Sequence, residues 1–123
     1  MKYVRWLAAA AVLAMLACAT AQAEEASVLL EAGVYAEEVV GDIDKAIETY
    51  QKIIADAQAS RRCVAEAHYR LGKCLLAKGE KEKALEQFAL VSERYADQEA
   101  LVRSARDELA KLEPPVPASG QLV

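Results

Sequence analysis

The chain has 123 residues, 54% of them hydrophobic, with a formal net charge of −4 at pH 7. That length suits one small domain. The acidic balance argues against nucleic acid, whose binding depends on neutralising phosphates with Lys and Arg, and no basic stripe with interleaved aromatics is present. Residues 1–23 open with Lys2 and Arg5, run apolar from Trp6 to Ala19 and end in Ala21-Gln22-Ala23. A basic start, a short apolar run and an A-x-A site form the pattern of a secretory signal peptide. The run is shorter than the ~20 residues needed to cross a bilayer, so no membrane span is expected after cleavage. Cys18, in "MLAC", gives a second reading, a lipid-anchored protein. After cleavage at the A-x-A site the mature chain starts at Glu24 and carries 13 basic residues against 19 acidic ones, a net −6. Export, with the bacterial periplasm as the destination, is the expectation.

From Glu24 to Glu113 there is no Pro and Ala, Leu, Glu, Lys and Gln dominate, all good helix formers. The first expected helix, 24–40, places Val28, Leu29, Ala32, Tyr35, Ala36 and Val39 at helical spacings. Gly41 breaks it and Asp42 is a candidate N-cap. The second, about 42–57, carries the stripe Ile43, Ala46, Ile47, Tyr50, Ile53 and Ile54. "DAQASRR" reads as a turn with Ser60 as the next N-cap. The third helix, about 61–78, carries Val64, Ala67, His68, Leu71, Leu75 and Leu76, and Gly79 ends it. The fourth, 80–95, carries Ala84, Leu85, Phe88, Val91 and Tyr95. The fifth, about 97–112, carries Leu101, Val102, Ala105, Leu109 and Leu112 among more charge, as a terminal cap with a polar outer face should. "PPVPASGQLV" cannot continue a helix, so 113–123 is expected to be a disordered tail.

Two stretches say nearly the same thing: "GDIDKAIETY" at 41–50 and "GEKEKALEQF" at 79–88. Self-similarity at such a period, one helix pair per unit, is the signature of a helical array. The second copy, "HYRLGKCLLAKGEKEKALEQF", resembles a tetratricopeptide repeat through His68, Leu71, Gly72, Gly79, Ala84 and Phe88, with Leu75 in place of the second aromatic. The first copy matches through Gly41, Ala46 and Tyr50, with Gly33 and Val34 where Leu-Gly would stand. The spacing of 38 against the family's ~34 puts about four extra residues in the turn around 57–61. The resemblance implies an all-α fold, antiparallel helix pairs stacked as a short right-handed solenoid. Units of about 27–60 and 65–96 and a capping helix 97–112 would make up the domain 24–112. Small residues at Ala46, Ala84 and Gly72 would let paired helices approach closely, with Tyr50 and Phe88 filling the space beside them.

No catalytic or cofactor-binding constellation is present. His68 is the only histidine and fills an apolar slot. CxxC, HExxH, P-loop and G-x-S-x-G patterns are missing. Cys63 and Cys74 lie 11 residues apart on one helix, so ~16 Å apart, beyond the ~7 Å a disulfide allows. His68 is rotated about 140° from Cys63, so the three cannot converge on a metal. No cofactor, no metal and no enzymatic activity are expected.

What the resemblance implies instead is a binding surface. In tetratricopeptide arrays the first helix of each pair lines a concave groove that takes a peptide or helix of another protein. The corresponding positions here are Val28, Glu31, Tyr35, Glu38 and Val39 in the first unit and Glu66, Tyr69, Lys73, Leu76 and Ala77 in the second. The Lys, Asn and Arg set with which cochaperone members clamp a terminal carboxylate is missing, and Glu31 stands where a clamp Lys would be useful. Glu31, Glu38 and Glu66 against Lys73 favour an apolar or basic ligand segment. The expected partner is another envelope or secreted protein, as for the small periplasmic members that serve Tol-Pal-type and outer-membrane assembly complexes. Self-assembly through an incompletely capped end of the solenoid is the alternative.

Overall fold

A computed structural model describes residues 2–113. The side chains of 16–23, among them Cys18, and the tail 114–123 lie outside the described residues. The order is α1 (Lys2–Tyr35), a π-helical segment (Ala36–Val40), α2 (Ile43–Ala55), α3 (Arg61–Ala77), α4 (Lys81–Arg94) and α5 (Glu99–Leu112). Each helix packs chiefly on its neighbours in sequence, α1 on α2, α2 on α3, α3 on α4 and α4 on α5. The result is an all-helical stack of antiparallel pairs. No described helix is long and apolar enough to cross a membrane.

The helix boundaries follow local chemistry. Gly41 (φ 78°) and Gly79 (φ 82°) take the left-handed conformation that ends a helix cheaply only in glycine. The Asp42 carboxylate accepts from the Lys45 amide at 3.0 Å and the Ser60 hydroxyl from the Cys63 amide at 3.2 Å. Both are N-caps that satisfy otherwise orphaned helix-start amides. The turn 56–60 holds itself together through the Gln58 amide donating to the Asp56 side chain. Arg61 then grips Asp97 with two nitrogens at 2.8–3.1 Å and also donates to the Arg94 carbonyl. That pair ties the start of α3 to the turn between α4 and α5, and it holds the Asp97 carboxyl well below the usual carboxylate range.

The core runs through the stack as Ala46, Tyr50 and Ile53 of α2, Ala67, Leu71, Cys74 and Leu75 of α3, Ala84, Phe88 and Val91 of α4, and Ala105 of α5. His68 is buried there as well, its Nδ1 2.7 Å from Gln87 Oε1 and its ring 5.9 Å from that of Tyr95. The N-caps Asp42 and Ser60 recur 38 residues later at Glu80 and Gln98. On that step α5 is the first helix of a third unit, with Ala105 buried as Ala67 is.

The first helix departs from expectation in three ways. It does not begin near residue 24 but runs unbroken from Lys2, because nothing before Gly33 in that Ala-rich stretch breaks a helix. Its expected apolar stripe does not bury as a unit: Leu29 and Ala36 pack inward, whereas Val28, Ala32, Tyr35 and Val39 are exposed. Ala26 and Gly33 supply the inward face instead.

The third departure is one of register. Gly72 lies against the Phe88 ring so closely that a Cβ would meet Cε1 at 2.7 Å, and Gly33 lies against Tyr50 in the same way, at 2.6 Å. Gly33, not Val34, is therefore the partner of Gly72, although 17 residues separate Gly33 from Tyr50 and 16 separate Gly72 from Phe88. The extra residue is taken up by the π segment, where one turn holds an additional residue. The two copies are thus offset by 39 positions before the π segment and by 38 after it.

Candidate partner-binding face

The odd-numbered helices α1, α3 and α5 lie side by side, α1 against α3 and α3 against α5, more lightly than each meets its paired helix. Clefts run between them, and two of these include a tyrosine. One, of about 360 Å³, is lined by Leu30, Glu31, Val34, Tyr35, Val39 and Glu66. The other, of about 440 Å³, lies between α3 and α5 and includes Arg62, Glu66, Tyr69, Asp97, Leu101 and Ser104. Of the ten residues expected on this face, the first cleft brings Glu31, Tyr35, Val39 and Glu66 together, and Tyr69 shares the second with Glu66.

Tyr35 and Val39 are 59% and 68% exposed. Glu31, Glu38 and Ala77 are exposed too, and Lys73 and Leu76 are half-buried. Val28 is 61% exposed but lines neither cleft. Tyr69 is half-buried. Its ring packs 5.7 Å from that of Phe88, the Lys73 ammonium sits 5.9 Å above it, and burial, with Glu108 nearby, raises its pKa. Tyr69 therefore roofs the α3–α4 core and presents one edge to the cleft.

Beneath the face lies a polar cluster that the family pattern does not reveal. Arg70 reaches Glu38 at 3.0 Å, Glu66 at 3.2 Å and Glu37 at 3.4 Å, and Lys73 approaches Glu37 at 3.9 Å. The Tyr50 hydroxyl donates to Glu37 at 2.6 Å. Burial, then Glu37, pushes the Tyr50 phenol far above its usual pKa. Counting Glu38 and Glu66 as free acids therefore overstated the negative charge of this face: Arg70 neutralises part of it, and Glu31 is the carboxylate left facing the apolar cleft. The i, i+4 spacing of Glu66 and Arg70 is the sequence signal that could have exposed the cluster. The link to Glu37 and Glu38 depends on the π segment.

Arg70 and Glu37 are largely enclosed, at 18% and 10% side-chain exposure. An exposed ion pair contributes ~0.5 kcal/mol and loss of one partner of a fully buried pair costs ~3–5 kcal/mol. Arg70→Ala should lie between, at about 2 kcal/mol, and lower the midpoint of a circular-dichroism melt by about 10 °C. Arg70→Lys, which keeps the charge without the fork, should recover less than half of that.

Cys63 and Cys74 are both free, Cys63 half-buried and Cys74 buried. Burial, with Glu37 behind it, pushes the Cys74 thiol up to about 12 from 9.0. The thiolate is the reactive form, so alkylation of the native chain at pH 8 should label Cys63 and leave Cys74 at least about a hundredfold slower, as read by peptide mass mapping. A raised folded-state pKa favours the native state below the unfolded value. The Cys74 contribution is therefore complete below pH 9 and should be lost as pH rises from 9 towards 12. A Cys74→Ala chain should show a flatter alkaline stability curve over that window.

The stacked helix pairs, the glycine–aromatic crossings and the paired clefts define a helical-repeat scaffold. A tetratricopeptide repeat model matches residues 40–109 and a second tetratricopeptide repeat model matches residues 13–60. The chain belongs to the tetratricopeptide repeat family, whose repeats generally mediate protein–protein interactions and whose members are interaction modules rather than enzymes. No curated protein matches the chain, and no solved structure does.

Proposed function

We propose that the protein is an exported interaction module that holds a peptide or helix of another envelope protein on the face formed by α1, α3 and α5. The observation that carries the reading is the apolar cleft between α1 and α3, in which exposed Tyr35 and Val39 stand beside half-buried Leu30 and Val34 and the carboxylate of Glu31. Exposed tyrosine suits such a role because it offers apolar area and a polar tip at small cost in rotamer freedom. Export rests on the sequence of residues 1–23, and a lipid anchor at Cys18 is compatible with the same location. A ligand that is apolar with at least one basic group fits this cleft.

The test is photocrosslinking in the native host. A crosslinking residue at Lys73, which reaches solvent without disturbing the Tyr69–Phe88 contact, is compared with one at Glu86 on α4. Capture of one discrete protein from Lys73 and not from Glu86 supports the proposal. Equal capture from both positions, or none, removes it. Light scattering over a range of concentrations addresses self-assembly: growth of mass with concentration, and Lys73 capturing only copies of the chain, would put the structural alternative in its place.

A further inference from the structure

The outward side of α1 differs from that of the opposite end of the stack. Terminal helices of a solenoid need a polar outer face. α5 has one, with Arg103, Arg106 and Asp107 exposed. On α1 and the π segment that continues it, the exposed residues Val28, Ala32, Tyr35 and Val39 follow at steps of four, three and four, the heptad spacing of a helix that packs lengthwise on another helix. At ~100° per residue, Val28 lies about 140° round the helix from Gly33, which faces Tyr50 of α2, and about 160° from Leu30, which lines the cleft to α3. Val28 and Ala32 therefore point away from both neighbours and from the concave face, which this stripe shares only at Tyr35 and Val39.

Charge is divided as sharply as polarity. Residues 24–44 contain seven acidic residues and no Lys or Arg, whereas 45–113 contain 12 acidic and 13 basic residues. Glu24, Glu25 and Glu31 are exposed along α1, whereas Glu38, in the π segment, is held by Arg70. A second copy docked α1 to α1 would set these carboxylates against themselves. A helix with apolar residues at heptad spacing flanked by Lys or Arg would meet both the stripe and the charge.

We propose that the outer face of α1 is a second docking surface, adjoining the concave cleft only at its Tyr35–Val39 end, which takes a basic amphipathic helix of a partner protein as an additional layer on the end of the solenoid. The partner helix covers Val28, Ala32, Tyr35 and Val39, and its flanking cations lie along Glu24, Glu25 and Glu31. Apolar contact supplies affinity, and the charges set which helices are accepted and how fast they arrive.

The full chain is titrated, by fluorescence anisotropy, into a labelled helical peptide of about 18 residues with Leu at the a and d positions and Lys or Arg beside them. A second peptide carries Glu in place of every flanking cation. The basic peptide should bind, more weakly as salt is raised, and the acidic one should not. Val28→Ser with Ala32→Ser should weaken binding about tenfold or more. Glu24→Lys with Glu25→Lys should weaken it and flatten its salt dependence. Lys73→Glu, in the concave face, should change it less than about twofold, so the two surfaces can fail separately. The inference is overturned if neither peptide binds, if both bind equally, or if the stripe variants bind like the parent. It is also overturned if Lys73→Glu alone removes binding, or if the chain sediments as a dimer that Val28→Ser dissociates, because a second copy would then be the occupant.

Discussion

Ala84→Arg should leave no cooperative thermal transition by circular dichroism. Ala84 is completely buried in the α4 face that packs on α3. A guanidinium there has neither volume nor a partner, and a charge buried without compensation belongs with the changes that cost more than ~4 kcal/mol. A domain of this size has about 5–10 kcal/mol in total, so one such change consumes most of it. Lys81→Arg, three residues earlier and exposed, should leave the melt unchanged. A folded Ala84→Arg chain with the parental midpoint would mean that α4 packs with another face.

Phe88→Ala comes next in size. The ring is fully buried, lies against Gly72 and packs on Tyr69. Removing it should cost about 3–5 kcal/mol and lower the melting midpoint by more than about 15 °C. Gly72→Ala attacks the same crossing from the other side. Its methyl would sit 2.7 Å from an atom of the fully buried Phe88 ring, an overpacking cost of about 1–3 kcal/mol. The two losses should not add. Gly72→Ala combined with Phe88→Leu should be more stable than the sum of the single changes by about 0.5–2 kcal/mol, the coupling expected of residues in direct contact. Strict additivity would show that the glycine and the ring do not share that space. The matching contact of Gly33 with Tyr50 should behave alike, with one addition: Tyr50→Leu also removes a donor from the enclosed Glu37.

Much of this architecture is legible in the sequence because it is written in local chemistry. Gly41 and Gly79 end helices, Asp42 and Ser60 start them, and Ala46, Tyr50, Ala84 and Phe88 recur at the same interval in both copies. The α2, α3 and α4 stripes all bury inward for that reason. What the sequence hides is the consequence of one additional residue. A constant offset of 38 pairs Gly72 with Val34, and only the π segment, which has no composition of its own, shows that Gly33 stands there. The Arg70 cluster is hidden by the same cause, because Glu37 and Glu38 reach α3 only on the widened turn. The Val28 and Tyr35 positions illustrate a second limit. Helical spacing shows that residues share a face, but a terminal helix has two apolar faces, and spacing alone does not say which one meets the core.

Whether one shared face of α1, α3 and α5 holds the partner can be read by amide chemical-shift mapping of the labelled chain. The partner segment captured from Lys73 serves as the titrant. Shifts should concentrate at Leu30, Glu31, Tyr35, Glu66, Tyr69, Lys73 and the facing turn of α5, with the exposed sides of α2 and α4 unmoved. Shifts concentrated around Lys45, Lys52, Glu82 and Glu86, with the cleft residues silent, would contradict it.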